Sequence, residues 1–128
     1  MALISSGILQ EATTIAKTTQ TDIGSEIECG SYDYLTLFFT YTKGDETGLL
    51  IQAHALQESG GTEYQDVSWT AAAGTKSATV NQYTATATKS HYITFDVSGI
   101  QFIKFTQGGS NNDGTPTGTL AASYTMKG

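Results

Sequence analysis

Residues 31–57 read SYDYLTLFFTYTKGDETGLLIQAHALQ, and their pattern decides the fold class. Leu35, Leu37, Phe39 and Tyr41 recur at every second position, with Tyr34, Thr36, Phe38, Thr40 and Thr42 between them. A period of two belongs to a strand, whose successive side chains point to opposite faces. KGDETG follows, where Gly44 and Gly48 supply the backbone freedom of a turn. The run LLIQAHALQ then returns, with Leu49, Ile51, Ala53 and Ala55 facing away from Leu50, Gln52, His54 and Leu56. Two alternating runs around a Gly-bearing turn read as a β-hairpin.

Residues 91–105, HYITFDVSGIQFIKF, repeat the device. Ile93, Phe95 and Val97 share one phase, the phase breaks at Ser98-Gly99, and Ile100 and Phe102 continue in the other. Two short strands with a tight connection are expected. Ile93, Phe95 and Val97 should close the core. From Ile100 to Phe105 both faces carry large apolar groups, so another sheet, an arm or a partner should cover one of them.

The remaining segments fit the same grammar. A turn at Ser59-Gly60-Gly61 precedes a strand through Tyr64, Asp66 and Ser68, with Gln65, Val67 and Trp69 on its other face. TAAAGTK reads as a loop, and SATVNQYTATAT as one sparse strand bearing Val80 and Tyr83. TQGGSNNDGTPTG, 106–118, is the longest loop-like stretch, and TLAASYTMK closes the chain with Leu120, Ala122, Tyr124 and Met126 on one side. About eight short strands, with turn signals about every 8–12 residues, predict an all-β antiparallel sandwich of jelly-roll type. A parallel sheet needs crossover helices, and the one helical candidate is Ile8 to Lys17. Residues 1–20 read as an N-terminal extended arm or short helix, and 21–128 as a single β-sandwich domain.

Composition agrees. The 128 residues include 22 Thr, one Pro and no Arg, and β-branched Thr suits a half-exposed pleated surface. The net charge is −6, and the six Lys stand singly at 17, 43, 76, 89, 104 and 127. Nucleic-acid binding needs clustered cations, and without Arg there is no bidentate phosphate fork, so no nucleic-acid partner is expected. Cys29 is alone and reads as a small buried hydrophobe. MALISSGILQEATTIA lacks the basic n-region and apolar run of a signal peptide, and nothing approaches a membrane span. The expectation is synthesis in the cytoplasm, with no membrane partner.

Candidate chemistry is sparse. His54 sits mid-strand among Ala and Leu and reads as a partly buried structural histidine, while His91 opens a strand and should face solvent. Neither is flanked by a triad motif, and Gly-rich phosphate loops, HExxH and CxxC are absent. Asp45-Glu46 reads as turn charge and Glu26/Glu28 as a solvated strand face. Ser110 to Gly114 has the oxygen-rich composition of a calcium loop, yet it holds a single carboxylate and matches a tight turn. No catalytic residue, metal ligand or cofactor is expected, and the chain does not read as an enzyme.

The segment from Ile23 to Tyr64 resembles small virion proteins of tailed bacteriophages and related viruses. The residues carrying the resemblance are Ile23-Gly24, Tyr32 to Thr42, Leu49 to Gln57, Ser59 to Gly61 and Tyr64. FDVSGIQFIKF, the Gly/Asn loop and GTLAASYTMK agree in the C-terminal half. The resemblance implies a β-sandwich or jelly roll serving as a virion component, such as a capsid decoration, tail or adaptor protein. It carries over no catalytic residue.

Two functions from different classes follow. The first is a virion structural protein that binds copies of itself, as a homo-oligomer such as a trimer, and a major capsid or other virion protein. Phe38, on the Thr-rich face, is its interface candidate, unless both faces of that strand are covered within the chain. Ile4, Ile8, Leu9 and Ile15 are the candidate arm contacts. The second is a lectin-like module that stacks sugars on outward aromatics. Its candidates are Tyr64, Trp69, Asn111, Asn112 and Asp113.

Overall fold

The computed structural model describes residues 3–17, 19–72, 75–109 and 115–128, with side chains left out at 69–77. Its strands are β1 (Ile4–Thr14), β2 (Thr21–Asp22), β3 (Ile27–Glu28), β4 (Tyr34–Thr42), β5 (Leu49–Leu56) and β6 (Tyr64–Gln65). They continue with β7 (Val67–Ala72), β8 (Thr75–Val80), β9 (Gln82–Ala85), β10 (Lys89–Asp96), β11 (Phe102–Gly109) and β12 (Thr119–Lys127). The first sheet has the order β1-β12-β4-β10. In the second, β5 lies between β11 and the short pieces β6 and β9, and the far side of β11 takes β2 and β3. Every pairing is antiparallel.

The expected all-β sandwich is the observed fold. Among the described residues twelve strands replace the expected eight or so, because two strand positions are broken and a ribbon adds two more. β2 with β3, and β6 with β9, each fill one edge of the second sheet, and β7 with β8 form a separate two-stranded ribbon. The chain changes sheet at almost every connection: β1, β4, β10 and β12 belong to one, and β2/β3, β5, β6/β9 and β11 to the other. This alternation is the jelly-roll winding.

It overturns the hairpin reading of 31–57, while the two short strands expected in 91–105 are present as β10 and β11. β4 and β5 lie in different sheets, as do β10 and β11. Both sides of β4 are already paired, with β12 from Tyr34 to Thr42 and with β10 from Tyr34 to Tyr41, so no edge remains for β5. Leu35, Leu37, Phe39 and Tyr41 therefore meet Leu49, Ile51 and Ala53 across the core and not side by side. A Gly-bearing turn between alternating runs serves a hairpin and an inter-sheet arch equally well.

Those residues, with Ile103, Phe105, Leu120, Ala122 and Met126, form the core between the sheets. The Phe95 and Phe105 rings, 5.2 Å apart, join the two layers. Val97 is buried as expected, while Ile93 and Phe95 are half-buried at the core's margin. In β11 the core face is Ile103 and Phe105, and Phe102 is half-buried. Residues 4–14, expected as an arm or short helix, are an edge strand of this sandwich, paired from Ile4↔Lys127 to Thr14↔Thr119. Its register shifts between Ile8 and Gln10 free Leu9 to pack on the core, and Ile15 is buried outright. Apolar contacts of this kind favour docking on β12 over a free arm.

Candidate assembly surface

The register makes the outer face of the first sheet one continuous surface. Ile8 lies opposite Ser123, Ser123 opposite Phe38, and Phe38 opposite Tyr92, so one row crosses all four strands. Ile8 and Tyr92 are each 71% exposed and Phe38 44%. The Phe38 and Tyr92 rings touch at a tilt, with centroids 6.2 Å apart. Hydroxyl pairs flank them: Thr36 with Thr94 at 2.9 Å and Thr40 with Ser90 at 3.0 Å. Cross-strand pairs of these types fix strand register, each contributing roughly 0.2–1 kcal/mol. Because β12 carries only Ala121 and Ser123 between Ile8 and Phe38, the surface dips there into a groove of about 400 Å³.

The outer face of the second sheet is different, because the chain covers it. His54, Leu56 and Thr106 on that face are buried, and Lys104 reaches Asp22 on one side at 3.2 Å and Glu63 on the other at 2.6 Å. The Thr106 hydroxyl donates to Gln20 Oε1 at 2.8 Å, so its oxygen is the acceptor for His54 Nε2–H at 3.0 Å. That chain of donors fixes the histidine tautomer and leaves Nδ1 a buried acceptor without a partner among the described residues. Burial, acting first, holds the His54 pKa down; Glu63 and Asp22 oppose it and Lys104 adds to it. A neutral, desolvated histidine bonded to a threonine is a structural element.

Two other polar groups depart from expectation. Glu46, read as solvated turn charge, is 2% exposed. Its carboxylate accepts hydrogen bonds from the Tyr41 hydroxyl and from the backbone N–H groups of Gly44 (2.9 Å), Thr117 (3.2 Å) and Gly118 (2.9 Å). Burial by itself would raise its pKa, but the Tyr41 hydroxyl and the Gly44 and Gly118 amides outweigh it and hold the value down to about 2. A Cβ on Gly118 would run into that carboxylate, so the close approach requires glycine. His91, expected to face solvent, points inward in phase with Ile93 and Phe95. It stacks on Phe39 at 5.6 Å and bonds to the Tyr83 hydroxyl through Nδ1. Cys29 is buried as expected, and burial, then the Glu28 charge, pushes its thiol up to about 11.

Of the proposed contact residues, Ile8 and Phe38 share the exposed row, and Ile4, 62% exposed, sits at the end of the same strand, opposite Lys127. Leu9 and Ile15 belong to the core instead. Sequence reading missed Tyr92 as their companion, because the β4–β10 pairing that places it beside Phe38 joins strands some fifty residues apart. The glycan set is not assembled among the described residues. Tyr64 is exposed on β6, the side chain of Trp69 lies outside them, and so do Asn111, Asn112 and Asp113. Among the described residues no group of three or more His, Cys, Asp or Glu is placed to hold a metal ion, and no helix is long and apolar enough to cross a membrane.

No sequence family and no curated protein matches the chain. Among solved structures, a chain in the structure of the infectious bursal disease virus Gx strain matches with a TM-score of 0.50 and 11% identity, over 99% of this chain and 33% of its own. A chain of the T13 viral particle of the same virus matches with a TM-score of 0.49 and 11% identity, over 98% of this chain and 31% of its own. This chain thus spans about a third of the length of the proteins it matches. Both neighbours come from that virus, whereas the sequence resemblance pointed to tailed bacteriophages and related viruses. At 11% identity the likeness is one of fold: this jelly roll also occurs in a protein of infectious bursal disease virus.

Proposed function

We propose that this chain is a non-enzymatic structural protein of a virion, a self-associating and capsid-docking component of the decoration type. The observation that carries the reading is the uncovered row Ile8–Phe38–Tyr92 on a sheet whose opposite number is covered by its own chain. Exposed aromatics framed by hydroxyl rows supply apolar area with polar handles, the chemistry of a protein contact. The fold is compatible with such a role, since a protein of a virus shares it.

The test is the solution mass by light scattering over a range of concentrations, for the natural chain and for Phe38→Ser. The natural chain is expected to form a discrete oligomer or polymer, and the variant to shift at least ten-fold toward monomer at equal concentration. A natural chain that stays monomeric throughout sinks self-association. Docking would then be sought by co-sedimentation with capsids from the virus that encodes the protein.

A further inference from the structure

The first sheet differs from the rest of the chain in charge. Its four strands hold Glu11, Lys89, Asp96 and Lys127 as their charged residues, two of each sign, in a chain of net charge −6. Two copies can therefore meet there without the repulsion that their other surfaces impose. Apolar exposure gathers on the outer face of the same sheet. Besides Ile8, Phe38 and Tyr92, it carries Ile4 and Tyr34, the latter 54% exposed. Tyr34 stands in a second row, with Lys127 of β12 on one side and Asp96 of β10 on the other. Few charges and many exposed aromatics mark the core of a protein contact.

The two strands beside β4 complement each other position by position. At Tyr34 the flanking residues are Lys127 and Asp96, a cation and an anion. At Thr36 they are Thr125 and Thr94, two hydroxyls. At Phe38 they are Ser123, in the groove, and Tyr92, which projects from the sheet at 71% exposed. A two-fold rotation about β4 exchanges the β12 and β10 sides, so it brings cation to anion and the projecting ring to the groove. Asp96 can take a partner: its Oδ1 accepts from the Ser98 N–H at 3.0 Å and the Ser98 hydroxyl at 2.6 Å, which leaves Oδ2. Three overlapping strands about 4.8 Å apart and about 27 Å long cover roughly 400 Å² per copy. A pair then buries roughly 800 Å² before side-chain relief is added, the size of a concentration-dependent contact.

We infer that two copies of this chain pair through the outer faces of their first sheets, about a two-fold axis along β4 that sets Lys127 against the partner's Asp96 and Tyr92 into the partner's groove at Ser123. The inference rests on self-association as read above and names the surface and the symmetry that produce it. One patch serves both copies, so the contact is isologous and closes as a dimer. Phe38 lies on the axis and meets the partner's Phe38, while β1 overhangs the partner's β10 and lets Ile8 flank the seated ring. Sheets packed in this way keep their strands within about 30° of each other at about 10 Å, which one layer of interleaved side chains fills.

Exchanges across the axis test this by light scattering. As concentration rises, the natural chain should reach twice its chain mass and stop there. Lys127→Asp sets carboxylates against each other at both symmetry-related contacts, and Asp96→Lys does the same with ammonium groups. Each variant alone should dimerise at least ten-fold more weakly. Their equimolar mixture should recover a one-to-one heterodimer, because each then meets the opposite charge. Ser123→Tyr fills the groove and should also weaken the dimer at least ten-fold. Adding Tyr92→Ser to it moves the projecting ring across the axis and should recover most of the loss. This size exchange leaves Asp96 and its Ser98 bonds untouched, so it holds even where Asp96→Lys fails to fold. If the natural chain assembles and the single variants assemble equally well, or if its mass grows past a dimer, the two-fold pairing is wrong while self-association stands. Weakened variants that neither exchange recovers overturn it too. A natural chain that is monomeric removes both readings together.

Discussion

The connection 43–48 and the ribbon 67–80 both leave the sandwich at a strand end, and they are held by opposite means. The first is short and tied inward: Glu46 anchors it to Tyr41 and to the backbone at 117–118, and the Asp45 N–H donates to the Thr117 hydroxyl at 2.8 Å. The second is longer, and its ties among the described residues run within its own ladder and to the Asp66–Asn81 base. Inward ties make a connection part of the cooperative core. A ribbon held only at its base should open on its own, without unfolding what lies beneath it.

The largest expected effect is at the inward tie. Glu46→Ala leaves the buried Tyr41 hydroxyl and the N–H groups of Gly44, Thr117 and Gly118 without an acceptor. Several unsatisfied buried donors at once should cost about 3 kcal/mol or more of global stability in a denaturant melt. Replacement of the ribbon by Gly-Gly should leave the same melt unchanged within about 0.5 kcal/mol. A loss below about 1 kcal/mol for Glu46→Ala would erase the contrast between the two connections.

Acid sharpens the same point. The Glu46 carboxyl is held at about 2 in the folded chain against an ordinary value of 4.5, so the folded state favours its ionised form. A lowered folded pKa contributes stability that is fully present above about pH 4.5 and is lost as pH falls toward 2. The shift corresponds to at most about 3 kcal/mol. Glu26 and Asp96 are also held low, by Ser59 with Gly60 and by Ser98, so acid weakens the protein through several carboxylates. The Glu46→Gln variant isolates one of them: its stability deficit should be constant above pH 5 and shrink steadily between pH 4.5 and 2. A deficit independent of pH would mean that the pin acts through shape and not through charge.

The sequence carried the strands and their faces well, because alternation is local. Leu35 to Tyr41 announce their burial within seven residues, and composition alone favours a sheet protein. What it could not carry were the partners. Whether Gly44 and Gly48 turn a chain back beside itself or over to the other sheet depends on β10 and β12, strands far along the chain that occupy both edges of β4. Glu46 was misread for the same reason, since two of its donors come from Thr117 and Gly118, some seventy residues away. The candidate site was half legible. Ile8 and Phe38 were visible as outward apolar residues, but Tyr92 joins them only through the β4–β10 register. The ribbon was misread because SATVNQYTATAT is continuous in pattern while Asn81 breaks it in space, by turning its backbone N–H and its side chain toward Asp66.

That break gives the smallest effect and the finest probe of the comparison. Asn81→Ala removes the side-chain bonds to Asp66 and Ser68 but keeps the backbone bond between Asn81 and Asp66. These groups are exposed, so water replaces the lost partners and the net loss is about 1 kcal/mol, confined to the ribbon. Amide hydrogen exchange within 67–80 should then speed up roughly five-fold, while β4, β5 and β11 keep their protection and the global melt does not move. A global destabilisation by Asn81→Ala would show that the ribbon folds with the core, and the contrast with the 43–48 connection would be one of length alone.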